Sequence, residues 1–406
     1  MEIKDNHLKI GIIKEEKIPV DERVPFTPVQ CRQIMDKFPC EIVVQSSDLR
    51  RIKDEEYIKE GIKVLHEMDD CDILMGVKEV PKDSLIPNKT YFFFSHTIKE
   101  QPYNWKLLRS VLDKQIRLID YECLTGKDGL RLLGFGRYAG IVGTYNGFRM
   151  IGDKTGDFNI KTAFECVDQK DLFSQLGRIK TKPLKICITG NGRVASGAIE
   201  VLEAMAIRKV SVKEFLNHSF NESVYVQLGV TEYNRRKDGE AGDMMEFFKS
   251  PELYDSDFRK LLAHIDYYLA CHFWDTHAPV LFTKKDMSEP TFNLKYIADI
   301  SCDIEGPIPS TIRSSTIANP FYGIDKKTGN EVPLNTIDAL AVMAVDNLPC
   351  ELPVDASVDF GRQLMEKTIP SLFNGDKDGI LKRASITKDG HLTEPYQYLS
   401  NYVQGK

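Results

Sequence analysis

Two α/β units, each a parallel sheet wound with helices on both faces, are what this sequence predicts. Three observations carry the prediction. Short apolar strands alternate with helical segments along the chain, a glycine-rich turn joins a strand to a helix near residue 190, and 406 residues exceed what one ordinary core accommodates.

The first unit begins with the strand Lys9–Ile13. Thr27-Pro28 then starts a helix over Val29–Phe38, with proline at a first-turn position where its missing N–H costs nothing. Cys40–Gln45 is a second strand, a helix follows near Asp54–Gly61, and Ile73–Val77 is a third strand. Tyr91–His96 is a fourth, and a helix over Asn104–Lys114 leads to a fifth, Ile116–Asp120. This alternation gives a parallel sheet without a glycine fingerprint.

A helix near Ala139–Gly152 leaves the first unit. The second starts with the strand Lys185–Thr189, which runs straight into Gly190-Asn191-Gly192-Arg193-Val194-Ala195-Ser196-Gly197 and a helix. That order of parts suits a dinucleotide pyrophosphate. Gly190 permits the tight turn, Gly192 lets the backbone approach the phosphates, and the helix N-terminus supplies unpaired N–H groups. Further strands are expected at Lys209–Val212, Tyr267–Ala270, Tyr296–Ile300 and Ala341–Val345. The polar stretch from Asn217 to Lys260 reads as a solvated insertion. A helix over Val354–Phe373 carries Phe360, Leu364, Met365, Ile369 and Leu372 on one face and returns the chain to the first unit. The expected architecture is thus two Rossmann-like, doubly wound domains around an interdomain cleft. Residues 1–138 with 346–406 would form a substrate and catalytic domain, and residues 139–345 a dinucleotide-binding domain.

Composition narrows the function. A net charge of −6 with no dense basic tract speaks against nucleic-acid binding. No stretch reaches membrane-spanning length, and Met1–Asp5 lack the apolar core of a leader peptide. The nine cysteines stand singly with no C-x-x-C pair, which argues against a zinc ribbon or other metal site and for reduced thiols in a cytoplasmic protein. The oligomeric state is left open.

Strand ends point at the ligand crevice of such sheets. Lys78 and Glu79 follow the third strand, His96 ends the fourth, Asp120, Tyr121 and Glu122 follow the fifth, and Asp299 and Asp303 bracket the end of Tyr296–Ile300. Polar residues also mark strand ends for no functional reason, but Lys78 and His96 together favour chemistry. Hydride transfer from a carbon bearing nitrogen forms an imine, so an amine must lose a proton and a water must be activated. A histidine suits this because its pKa lies near neutrality, and a desolvated lysine can be brought into range. Arg23 and Arg131, in loops, could each bind a substrate carboxylate with the planar guanidinium fork.

The motifs resemble a known family. Lys14-Glu15, Asp21-Glu22-Arg23-Val24-Pro25-Phe26-Thr27-Pro28, Val77-Lys78-Glu79-Val80-Pro81 and Phe94-Ser95-His96 are similar to motifs of the alanine dehydrogenase and transhydrogenase N-terminal family. Ala298–Asp303 and Asp346-Asn347-Leu348-Pro349 resemble its late motifs. Leu133–Gly140, Gly306–Thr311 and Asn347-Leu348-Pro349-Cys350-Glu351-Leu352-Pro353 look like its saccharopine dehydrogenase and lysine–ketoglutarate reductase branch. Alanine dehydrogenases carry N-M-P-G-A-V-P at that last segment, which points away from alanine as substrate.

The resemblance implies roles. Lys78 and His96 would be the acid–base pair, tuned by Glu79 and Glu122. Arg23 and Arg131 would hold substrate carboxylates, and Asp299 would lie near the nicotinamide and the reacting nitrogen. Gly190, Gly192, Arg193, Val194, Asp346, Asn347 and Leu348 would bind the cofactor. The implied reaction converts saccharopine, NAD and water reversibly to L-lysine, 2-oxoglutarate and NADH. The substrate would be a small amino-acid derivative.

Glu214, placed about 24 residues after Gly190, would bond the ribose 2′-hydroxyl and select NAD, while Lys213 and Arg208 beside it leave NADP possible. Two alternatives remain: an amino-acid dehydrogenase of alanine type, and a non-catalytic NAD-binding protein.

Overall fold

A computed structural model describes residues 7–406. The Met1–Asp5 stretch read above for a leader lies outside the described residues. The chain forms two compact units: unit 1 holds the chain up to Phe135 together with Pro353–Lys406, and unit 2 holds Gly136–Leu352.

Unit 1 is built on six parallel strands: β1 (Leu8–Ile12), β2 (Cys40–Gln45), β3 (Lys63–Leu65), β4 (Ile73–Met75), β5 (Thr90–Phe93) and β6 (Arg117–Asp120). Their order across the sheet is β3-β2-β1-β4-β5-β6, so the winding reverses between β1 and β4. Such a reversal opens a crevice at the carboxyl ends of the two strands. Helices α1 (Pro28–Lys37), α2 (Asp54–Lys59) and α3 (Trp105–Asp113) make connections between strands. At the start of α1 the Gln30 side chain accepts the Thr27 N–H at 3.0 Å, satisfying a donor that the helix itself leaves open. Tyr91, Phe92, Phe93, Leu118 and Ile119 are buried in the core. β3 was missed in the sequence because Lys63-Val64-Leu65 is only three residues long and half exposed.

Unit 2 opens with α4 (Gly136–Thr155) and α5 (Gln169–Leu176), then β7 (Lys185–Thr189) and α6 (Arg193–Ala204). The edge strand β8 (Arg208–Lys209) and α7 (Val212–Asn217) precede β9 (Val224–Leu228). The strand pair β10 (Asn234–Arg236) and β11 (Tyr254–Ser256) and the short helices α8 (Val230–Tyr233) and α9 (Met244–Lys249) follow. The sheet is completed by β12 (Tyr267–Ala270), β13 (Tyr296–Asp299), β14 (Phe321–Ile324), β15 (Glu331–Val332) and β16 (Leu340–Met343), with α10 (Lys284–Met287) before β13. The order is β15-β14-β16-β13-β12-β7-β9-β8, parallel from β8 to β16 and antiparallel at β14 and β15.

Two expectations change here. Residues 217–260 are not simply a solvated insertion, because they contain β9, which lies directly beside β7. The strand expected at Lys209–Val212 shrinks to two exposed residues at the sheet edge. β9 was hidden because Asn217–Ser223 and Thr231–Lys237 flank it with polar residues.

The return to unit 1 is α11 (Pro353–Lys367) and α12 (Ile369–Phe373). The single helix expected over Val354–Phe373 breaks at Thr368, where Pro370 offers no N–H and restricts Ile369 before it. Phe360 of α11 stacks on Phe135 at 4.3 Å. Beyond α12 the chain runs along the edge of β6, with Ile386 N–H donating to Leu118 O at 2.8 Å.

Candidate functional site

Charged side chains gather at the carboxyl edge of the unit 1 sheet. His96 follows β5 with φ 53°, the left-handed region that a Cβ disfavours. The segment is held there from below. Ser95 donates its N–H and its hydroxyl to Asp120 Oδ2, at 2.8 and 2.5 Å, and Asn104 Nδ2 donates to the Ser95 carbonyl at 2.9 Å. A strained residue pinned from both sides has a fixed side-chain direction. The imidazole lies between two buried carboxylates, with Nε2 at 3.9 Å from Glu79 Oε1 and Nδ1 at 3.6 Å from Glu122 Oε2.

Both carboxylates are held ionised. Burial pushes Glu122 up, but His96, Lys99 at 3.3 Å and Arg131 at 2.8 Å outweigh it and hold the carboxyl well below its ordinary range. Burial likewise raises Glu79, and a 2.6 Å bond from Lys17 Nζ with the charge of His96 brings it below its ordinary value.

Lys78 is half-buried just past β4, and its backbone N–H donates to Glu15 Oε2 at 2.9 Å. Its charge bears on Asp21. Arg23 stands apart from its expected use as an open carboxylate fork. Its Nε and one Nη donate to Asp21 at 2.9 and 2.6 Å in a buried pair, and its guanidinium lies 4.1 Å from the centre of the Phe135 ring. Arg131 is partly exposed and also engages an acid, Glu122. Unit 1 therefore brings together Lys78, Glu79, His96, Glu122, Arg23 and Arg131.

Asp299 belongs to a different sheet. It ends β13 in unit 2, fully buried, where Oδ2 accepts the Thr311 hydroxyl at 2.6 Å and Oδ1 accepts the Cys302 N–H at 3.0 Å. Burial pushes its carboxyl up to about 6. The ionisable residues at strand ends are thus divided between two sheets.

The glycine turn occupies the reversal of winding in unit 2, between β7 and β12. Gly190 has φ +104°, and a Cβ there would stand 2.7 Å from the Cys271 carbonyl oxygen, so only glycine fits. Gly192 precedes α6, and no heavy atom lies within 4 Å of where its Cβ would be. A space free of side chains in front of twelve-residue α6, whose first N–H groups lack helical partners, fits a dinucleotide pyrophosphate. Arg193 opens α6, and a Cβ placed on Gly136 would stand 3.2 Å from Val194 Cγ2. Asp346, Asn347 and Leu348 follow β16. Asp346 is exposed, and Leu348 is buried against α4.

Glu214 requires a correction. It lies in the first turn of α7 and accepts the Ser211 N–H at 2.9 Å and the Ser211 hydroxyl at 2.7 Å, in a reciprocal capping box. The strand beside β7 is β9, and the acid nearest its carboxyl end is Glu232, which accepts the Gly229 N–H at 2.6 Å. Counting from Gly190 led to the wrong element because β8 intervenes in sequence and lies outside β9 in the sheet.

Other residues went unassigned in the sequence. Glu15 lies just past β1, where the strand-end rule that flagged Lys78 applies equally. Lys17, Lys99 and Asn104 lie outside strands and offered no periodic signal. In unit 2, Thr189 Oγ1 lies 2.7 Å from Tyr268 Oη and 2.8 Å from His272 Nδ1, a buried triad below the glycine turn, and burial pushes His272 down to about 4.

Comparison with known proteins adds the lineage. Residues 11–142 match the family model described as "Alanine dehydrogenase/PNT, N-terminal domain". An alpha-aminoadipic semialdehyde synthase of Arabidopsis thaliana is 29% identical over 437 residues, covering 96% of this chain and 41% of that protein. A saccharopine dehydrogenase [NAD(+), L-lysine-forming] of Yarrowia lipolytica is 24% identical over 400 residues, covering 94% and 96%. The chain thus spans less than half the length of the first of these. A solved L-alanine dehydrogenase superposes with a TM-score of 0.65 at 15% identity, over 98% of this chain and all of that one, which shows the α/β fold. Residues 11–142 thus match an alanine dehydrogenase/PNT N-terminal domain, and the chain is similar along most of its length to saccharopine dehydrogenases and to part of the alpha-aminoadipic semialdehyde synthases.

Proposed function

We propose that the chain is an NAD-linked oxidoreductase acting on the C–N bond of saccharopine, converting it reversibly with water to L-lysine and 2-oxoglutarate. The observation that carries this reading is the His96 imidazole held between Glu79 and Glu122 at the sheet edge that also carries Lys78. The names of the two relatives support the substrate. So does the number of cations in unit 1, where Lys17, Lys78, Lys99 and Arg131 stand by the two glutamates and Asp21. Saccharopine carries three carboxylates and alanine one, and a cation-rich cluster favours the former.

When bound, the nicotinamide dinucleotide accepts hydride in one direction and delivers it in the other. Gly190, Gly192, Arg193 and Val194 would hold its pyrophosphate, with Asp346, Asn347 and Leu348 at the same sheet edge. In unit 1, Lys78 takes the proton of the secondary amine. His96 takes a proton from the water that attacks the imine and returns one to the departing amine. Glu79 and Glu122 stay ionised throughout and stabilise the imidazolium formed in between. Asp299, already committed to Thr311, holds the loop after β13 near the expected cofactor edge. The nine cysteines, all free thiols, support a reducing compartment such as the cytoplasm.

The test is NADH oxidation with L-lysine plus 2-oxoglutarate, and separately with pyruvate plus ammonia, each repeated with NADPH. Activity with the first pair is expected. Activity with pyruvate alone would replace saccharopine by alanine chemistry, and none with either would leave a binding protein.

A further inference from the structure

Glu15 is a buried carboxyl group that the mechanism above does not use. It stands just past β1, beside the strand end that carries Lys78, where the winding of the unit 1 sheet reverses. Its two oxygens divide between successive amides. Oε1 accepts the Val77 N–H at 2.6 Å, and Oε2 accepts the Lys78 N–H at 2.9 Å. A planar two-oxygen group fixes both peptide planes from which the Lys78 side chain springs.

We propose that Glu15 is the positioning residue for Lys78, holding its backbone and setting the charge against which its ammonium gives up a proton. This rests on the acid–base role of Lys78 proposed above. The groups around Glu15 can be named. Asp21 and Arg23 come from the loop after β1, Lys78 from the segment after β4, and Tyr121 from the segment after β6. Asp21 is committed to Arg23 through two short bonds. The Tyr121 hydroxyl is fully buried without a hydrogen-bond partner, and the charge of Glu15 bears on it.

Burial and the neighbouring Asp21 push the Glu15 carboxyl up to about 8, against the pull of the two amides and Arg23. Glu15 therefore changes charge in the pH range where an amine-deprotonating lysine works. A carboxylate held against the Lys78 backbone would favour the protonated ammonium, and a neutral carboxyl would not.

The experiment reads Lys78 directly. Lysines are ¹³C-methylated and followed by NMR across pH, with Lys78→Arg identifying the Lys78 resonance. Saccharopine oxidation is measured alongside. In Glu15→Gln, which carries no charge at any pH, the Lys78 midpoint should fall by about one unit. In Glu15→Asp, which keeps the charge but withdraws it by one methylene, the midpoint should stay nearer the wild-type value while kcat falls about tenfold or more and the NAD affinity holds. A Lys78 midpoint unmoved in folded Glu15→Gln would overturn the charge-setting role. Wild-type kcat in Glu15→Asp would overturn the positioning role, and this variant decides alone if Glu15→Gln does not fold. Wild-type protein that oxidises no saccharopine would refute the functional reading while leaving the NMR result to judge Glu15.

Discussion

Replacing Gly197 by alanine should loosen unit 2 where α4 crosses α6, and should weaken dinucleotide binding as a consequence. A Cβ at Gly197 would stand 1.9 Å from the Arg137 carbonyl oxygen, and a Cβ at Gly140 would stand 1.9 Å from the Val194 carbonyl oxygen. Ordinary contact begins near 3.4 Å, so each falls short by about 1.5 Å. The obstructing atoms are backbone, so no side chain can turn aside and the helices must part. Overpacking of this kind costs roughly 1–3 kcal/mol, and a backbone obstruction belongs at the upper end. About 3 kcal/mol in a unit of this size lowers the melting temperature by about 6–12 °C. The same displacement moves the amides at the start of α6, and NAD affinity should fall about tenfold. Scanning calorimetry with and without NAD, with titration calorimetry for the affinity, makes the test. Ser196→Ala, one exposed position earlier, is the control and should leave both values near wild type. Melting of Gly197→Ala within about 1 °C of wild type would refute the argument that the crossing depends on this contact.

Three other outcomes are expected. Lys78→Met should lower kcat/KM for saccharopine by about 10²–10⁴-fold while the NAD dissociation constant stays within about twofold, and unchanged turnover would move the proton transfer elsewhere. Glu232→Ala should weaken NAD binding more than NADP binding, whereas Glu214→Ala should leave the preference alone and only loosen the first turn of α7; equal effects of Glu232→Ala on both dinucleotides would remove it from the ribose site. Asp299 has a folded-state pKa raised to about 6. Its contribution is therefore present below its unfolded value near 4 and is lost as pH rises through 6, by up to about 3 kcal/mol. Asp299→Asn should gain stability relative to wild type between pH 4 and pH 7.5 in urea unfolding, and a difference that does not change with pH would show that folding does not raise the carboxyl.

The α/β class was legible because its signal is local. Apolar runs such as Tyr91–Phe94 and Ile186–Thr189 declare strands by themselves, and the glycine turn declares its own backbone. Sheet order was not legible, since nothing in the polar segment after Asn217 says that Val224–Leu228 inserts beside β7. That gap put Glu214 at an expected strand end, whereas it lies in the first turn of α7. The unit 1 cluster was partly legible, because strand ends can be located and His96, Lys78 and Glu122 stand at them. What sequence could not show is pairing. The commitment of Arg23 to Asp21 depends on a loop conformation, and the hold of Glu15 on Lys78 depends on β1 lying next to β4, two strands separated by about sixty residues.

The two sheets put opposite chemistry at the same topological position. In each, the winding reverses beside the first strand of the unit. Unit 1 fills that position with Glu15 and Lys78, buried or half-buried, their charges balanced by Asp21 and Arg23. Unit 2 empties it, with Gly190 against the Cys271 carbonyl and Gly192 facing open space. The difference follows from what each task requires. A polyanion is held best by backbone amides that no side chain screens, so the position must lose its Cβ atoms. Proton transfer requires side chains whose charge is set by burial and by fixed neighbours, so the position must gain them. A single substitution at either place should therefore fail in a characteristic way. A side chain added at Gly192 should abolish cofactor binding while Lys78 titrates normally, and a charge removed at Glu15 should shift Lys78 while cofactor binding persists.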